Sequence, residues 1–275
     1  MIIHDNKLAE EFADFISTPK RSGQFQEGLP DTIVIHYTAG SSLEGSIATF
    51  KDEGVRASAH ILVDKDGSIV QMAPFSEITW HAGDSAWLDR TALNRYSIGI
   101  EVVNAGRLEK SGSRYRSWFG RMYDEENVVE AVHRNETEPS FWERYTEDQI
   151  TAVFDLCHTL KNSYDIRFIL GHEEISPGRK SDPGPAFPLD KLRERILASD
   201  RSDVGDERSE PLGYGTVTAS ALNIRSGPSA GNPTIAPPLS RNTKVDILEE
   251  ANGWFKVDVS LIGWVSSRFI QEVEE

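Results

Sequence analysis

Residues 32–38 read TIVIHYT. A short apolar run rich in β-branched residues, with no polar alternation, fits a strand buried on both faces. The segments that follow fill in a sheet and its helices. SAHILVDKDGSIVQMAP (58–74) carries two strand-like runs around Lys65-Asp66-Gly67, a hairpin signal. SIGIEVVN (97–104) is a further strand. YTEDQITAVFDLCHTLKNSY (145–164) sets Ile150, Val153, Phe154, Cys157 and Leu160 at helical spacing, with Thr146 as N-cap. IRFILGH (166–172) is a strand ending at His172, and PLDKLRERIL (188–197) is a closing helix. Helices interleaved with strands and one hairpin predict an α/β domain, a mixed central β-sheet flanked by helices.

The chain has 275 residues, a length that suits two domains. LASDRSDVGDERSEPLGYG (197–215) is polar, acidic and poor in apolar residues, and reads as a linker over 198–212. It divides a domain at 1–197, with its core at 30–197, from a tail at 213–275. The tail is a series of short strand-like runs separated by Gly, Pro and Asn turns, the pattern of a small all-β barrel. Residues 106–144 fit neither pattern. They are polar yet carry Tyr115, Trp118, Phe119, Tyr123, Phe141 and Trp142. A stretch this long inside a domain is read either as a packed excursion with its own small cluster or as a wall of a substrate groove.

Composition narrows the function. A net charge of −15 argues against a nucleic-acid partner, whose phosphates demand clustered Lys and Arg. Cys157 is the single cysteine, so neither an internal disulfide nor a site of several thiolates is available. The start, MIIHDNKLAEEFADF, has no basic region before a long apolar core. The expectation is a chain with no membrane span and no signal peptide, cytoplasmic as synthesised, reaching a cell wall only after release or by another route.

Among the seven histidines, His36 and His172 fall at or near the ends of predicted strands, where side chains gather at the edge of an α/β sheet. Asp182 follows His172 by ten residues, across GHEEISPGRKSDPGPAF (171–187), whose prolines stiffen a loop full of ionisable groups. Two imidazoles and a carboxylate are suitable ligands for a catalytic zinc with its fourth position open. Glu101 interrupts an apolar strand. It is either an outward-facing edge residue or a general base beside a metal. Lys180 is either a solvated lysine or the cation that stabilises an oxyanion. Trp80 and Asn104 are candidates for substrate contact. His81 is a candidate either to support a ligand or to meet substrate. His60 looks like strand packing, and His133 like a surface or structural residue. Cys157 belongs to a helix's apolar face.

VIHYTAG, SAHILVDKDGSIVQM, WHAG, SIGIEVVN and GHEEISPGRKSDPGPAF, in that order over residues 30–197, resemble the zinc-dependent N-acetylmuramoyl-L-alanine amidases of the type 2 class, which share a fold with peptidoglycan recognition proteins. The resemblance implies one zinc per chain on His36, His172 and Asp182, with Glu101 as catalytic base and Lys180 assisting. It implies hydrolysis of the amide between the lactyl group of N-acetylmuramic acid and L-alanine, in peptidoglycan or in soluble muropeptides. The class also has members that recognise peptidoglycan without cleaving it, and these tend to lack a zinc ligand. ALNIRSGPS, NGWFKV and GWVSSRFI resemble bacterial SH3-like domains, which implies wall binding by the tail. The 106–144 stretch departs from shorter members of the class.

Overall fold

The computed structural model describes residues 1–197, 212–232, 234–251, 253–259, 262–266 and 270–272. The linker expected at 198–212 lies outside these, apart from Leu212. The chain forms two compact units, Met1–Ser199 and Asp200–Glu275.

The first unit is built on six strands: β1 (Asp14–Phe15), β2 (Thr32–Tyr37), β3 (Ile61–Val63), β4 (Ile69–Gln71), β5 (Ser97–Val102) and β6 (Phe168–Gly171). Their spatial order is β6-β2-β5-β3-β4-β1. Strands β6, β2, β5 and β3 are parallel, while β3 and β4 form the antiparallel hairpin expected around Lys65-Asp66-Gly67. The sheet is therefore mixed. Strand β2 shows why its sequence does not alternate. Ile33 and Ile35 pack on one face with Ile98, Ile100, Val153, Leu156 and Leu160. Val34 packs on the other with Ala82, Leu93, Leu170 and Ile175. Burying each such side chain is worth about 1.5–3 kcal/mol, so both faces hold β2 in register.

Four helices cover the sheet: α1 (Leu43–Lys51), α2 (Glu147–Ser163), α3 (His172–Ile175) and α4 (Leu189–Leu197). Helix α2 opens on a capping box, in which Thr146 Oγ1 accepts from the Gln149 N–H at 3.1 Å and Gln149 Oε1 accepts from the Thr146 N–H at 3.2 Å. Cys157 lies in the core face of this helix, and burial pushes its thiol pKa up. One element is not announced by the sequence and one boundary moves. Helix α1 carries no sequence signal strong enough to announce it, because only Ser46 and Phe50 of its nine residues are buried. His172 opens α3 and does not end β6.

Residues 107–143 fold into their own five-stranded antiparallel sheet, which joins Arg107–Ser111, Arg114–Arg116, Met122–Tyr123, Val128–Val132 and Pro139–Glu143. It encloses a small cluster of Leu108, Tyr115, Tyr123 and Val128, with Phe119 and Phe141 against it. The second unit has one seven-stranded sheet whose pairs are all antiparallel. Val217, Leu222, Ile224, Val245, Ile247, Phe255 and Val257 fill its core. Among the described residues, no helix is long and apolar enough to cross a membrane.

Candidate metal centre

The parallel strands bring the ionisable side chains together at one sheet edge. His36 is the fifth residue of β2, and its register partner on β5 is Glu101. His172 follows β6, the neighbour of β2 on its other side. The loop after α3 returns Asp182 to His172, and the Glu173 N–H donates to the Asp182 carbonyl at 2.8 Å. His36 Nδ1, His172 Nδ1 and Asp182 Oδ2 form a triangle with every side 2.9 Å, and all three residues are buried.

The far side of each imidazole decides what these three atoms can do. His172 Nε2 lies 3.1 Å from the Ala82 carbonyl, which can only accept, and 3.3 Å from Arg179 Nη2; with the proton on Nε2 the ring donates to that carbonyl. His81 Nε2 faces the Ser97 carbonyl at 3.1 Å and donates to it, which leaves His81 Nδ1 as an acceptor for His36 Nε2–H at 3.0 Å. In these tautomers both Nδ1 atoms present lone pairs to each other and to a carboxylate. Three acceptors converging at hydrogen-bond distance, with no proton among them, fit a metal ion.

The electrostatics keep the donors in that form. Burial, then His172, lowers the His36 pKa to about 4. Burial, then His36, keeps His81 neutral as well. For Asp182, burial is the largest influence and opposes ionisation, but the two adjoining imidazoles outweigh it and hold the carboxyl below the usual range. Glu101 behaves oppositely. Burial, then the Asp182 charge, raises its pKa well above a normal glutamate, against the pull of Lys180. Its Oε2 is buried with no hydrogen-bond partner. Lys180 is half-buried, and its charge is felt at both His36 and Glu101.

The other candidates separate. His81 is buried behind His36, so its place is to orient that imidazole and not to meet substrate. Gly99 allows this, since a Cβ there would sit 2.3 Å from the His81 ring. Asn104 is also buried, and its amide bonds the Glu143 carbonyl and the Gly106 N–H. Trp80 stays half-exposed and donates to Ser22 Oγ at 2.6 Å. His60 is strand packing: its Nδ1 accepts from the Gly99 N–H at 3.0 Å.

One set of residues near the centre has no signal in the sequence. His133, Arg134 and Asn135 of the 106–144 stretch all reach Glu173, the neighbour of His172. Tyr37 Oη also meets Ser181 Oγ at 2.7 Å, beside Asp182. Arg107, His133, Asn135, Glu136, Lys180 and Ser181 line an open groove of about 260 Å³.

Comparison with known proteins follows this geometry. Residues 220–271 match the bacterial SH3 domain. The N-acetylmuramoyl-L-alanine amidase AmiD of Escherichia coli K12 is 34% identical over 176 residues, which is 61% of this chain and 53% of AmiD. The 1,6-anhydro-N-acetylmuramyl-L-alanine amidase AmpD of the same organism is 33% identical over 145 residues, 53% of this chain and 60% of AmpD. The chain thus spans little more than half the length of these relatives. Among solved structures, an AmpD crystal structure aligns with a TM-score of 0.48 at 24% identity, covering 71% of this chain and 99% of that one. Residues 26–185, more than half of the chain and the stretch that holds every candidate ligand, match the N-acetylmuramoyl-L-alanine amidase family, to which this chain belongs.

Proposed function

We propose that this chain hydrolyses the amide between the lactyl group of N-acetylmuramic acid and the L-alanine of the stem peptide, with one zinc ion on His36, His172 and Asp182. The observation that carries the reading is the pairing of a convergent, proton-free donor triangle with the unpartnered carboxylate of Glu101 next to it. An unpaired carboxylate in an apolar strand costs stability, and a site that only recognises its ligand has no use for one. The names of AmiD and AmpD support the same bond as the target.

His36, His172 and Asp182 would hold the zinc, which would supply Lewis-acid activation of a water and of the scissile carbonyl. The protein does the rest. Glu101 takes a proton from the attacking water onto its carboxylate and delivers it to the departing alanine nitrogen. Its raised pKa favours holding that proton until the nitrogen takes it. The Lys180 ammonium stabilises the charge that develops on the carbonyl oxygen. His81 keeps the His36 proton on Nε2 through the whole cycle. The groove places the Lys180 ammonium, across from an Arg107–Glu136 ion pair, where it can meet the carboxylates of a stem peptide.

Mass spectrometry of products tests this. Incubation with soluble anhydro-muropeptide and with whole sacculi should release free stem peptides that begin at L-alanine, and metal analysis should find about one zinc per chain. Intact substrate after incubation with zinc-loaded protein would leave a recognition module as the reading.

A further inference from the structure

The 106–144 sheet does not stand apart from the metal centre. Three consecutive residues past one of its strands hold a single residue of the metal loop. His133 Nε2 donates to Glu173 Oε2 at 2.7 Å, Arg134 Nε lies 3.1 Å from Glu173 Oε1, and Asn135 Nδ2 donates to the Glu173 carbonyl at 3.0 Å. Glu173 is buried, and it is bonded twice to the far end of its own loop. Its N–H donates to the Asp182 carbonyl, and its Oε2 accepts from the Gly184 N–H at 3.1 Å.

Trp142 completes the contact. It is the largest fully buried side chain among the described residues, and it stacks on His133 with centroids 5.6 Å apart. Its ring also lies against the backbone at Gly184. A Cβ there would be 3.0 Å from the ring, and the φ of +73° favours glycine independently. Just beyond the sheet, Tyr145 Oη donates to the Pro183 carbonyl at 2.8 Å. The loop that carries Asp182 is thus fixed at 173, 183 and 184 by residues outside it.

We infer that the inserted sheet is the outer half of the metal centre: His133, Arg134 and Asn135 are positioning residues that, through Glu173 and backed by Trp142, set the separation of His172 from Asp182. The inference rests on the metal reading above. Its physical basis is preorganisation. A ligand pair spanning a ten-residue loop binds an ion well only if the loop holds both ligands before the ion arrives, and partners behind the ligands set that geometry. Three hydrogen-bonding residues in sequence on one buried glutamate leave it one position. The ligands on either side of the loop follow, because Glu173 is bonded to His172 covalently and to Asp182 through the backbone.

The test is zinc affinity of the full chain, measured by competition with a chromogenic chelator, together with the visible spectrum of the cobalt-substituted protein. His133→Ala should weaken zinc binding at least about 10-fold, the usual scale for such partners, and should alter the cobalt bands. His133→Gln, which keeps a donor near the same place, should recover most of the affinity. Asn135→Ala removes one bond and no buried charge, so it folds if His133→Ala does not, and it should still weaken zinc several-fold. Wild-type affinity and an unchanged cobalt spectrum in a folded His133→Ala, or in Asn135→Ala where the first does not fold, would overturn the inference. Failure of the wild-type chain itself to take up zinc would instead overturn the metal reading.

Discussion

His36 and Glu101 are paired residues on adjacent parallel strands, so the ligand and the carboxylate share one level of the sheet and one edge. The sheet's hydrogen bonds set their spacing, and no loop lies between them. A carboxylate held this way cannot drift from the candidate ligand beside it. Glu101→Gln keeps the shape and removes the proton acceptor. Zinc content should stay at the wild-type level while kcat falls at least about 10²-fold, the scale of general-base loss. Steady-state kinetics beside metal analysis checks this, and near-normal turnover would assign the water's proton to another group.

The order His36, His81, Ser97 predicts an effect at a residue with no polar atom of its own side chain. Gly99→Ala places a methyl where the His81 ring lies. The ring must move, and His36 Nε2 loses its acceptor. Overpacking of this kind costs about 1–3 kcal/mol, so the melting temperature of the metal-free protein should fall. Zinc affinity should fall as well, because the His36 ring is no longer oriented. Calorimetry with and without zinc separates the two effects.

His60 predicts a pH dependence of stability away from the metal. Its Nδ1 accepts from the Gly99 N–H, and its Nε2 donates to the Glu77 carbonyl at 2.8 Å. Protonating Nδ1 sets two N–H groups against each other. Burial lowers its pKa from 6.5 to about 4, against the Glu77 hydrogen bond. The folded state therefore binds fewer protons than the unfolded state between these values. The contribution is fully present above pH 6.5 and is lost as pH falls toward 4, in total about 3 kcal/mol. Urea titrations of metal-free protein at pH 7 and pH 4.5 should show a smaller loss in His60→Gln than in the wild type. Equal losses would place the acid sensitivity elsewhere.

What the sequence made legible follows from local period. β2 and the Lys65-Asp66-Gly67 hairpin carry strand patterns, and α2 carries a helical stripe behind Thr146, so each was readable alone. The three candidate ligands were readable because a histidine stood at or near a strand end and a stiffened loop joined two of them. Helix α1 escaped because Gly45, Ser46 and Thr49 dilute its apolar face. The inserted sheet escaped because its strands run from two to five residues and its cluster is largely aromatic, which gives no clear alternation. His133 and Asn135 reach Glu173 across 40 and 38 positions, a distance at which no local pattern reports a contact. His81 and Asn104 lie beside the correct motifs, but their burial depends on Gly99 and on Glu143, which the sequence does not tie to them.

The second unit supplies the last prediction. It has its own core, from Val217 to Val257, and its match to the bacterial SH3 domain begins at residue 220. A separate module that holds polymer raises the local concentration of substrate at the metal centre and leaves the chemistry unchanged. A chain ending at Leu197 should therefore cleave soluble anhydro-muropeptide about as fast as the full chain. On insoluble sacculi it should be markedly slower, and it should no longer sediment with them. The isolated 213–275 segment should sediment alone. Trp254 is the first aromatic to replace, since its ring is half-exposed beside a buried Phe255. Trp254→Ala should reduce sedimentation while the segment keeps its fold, judged by its melting curve. Equal activity on sacculi with and without the tail would remove the tether. It would leave soluble muropeptides as the substrate that the metal centre handles unaided.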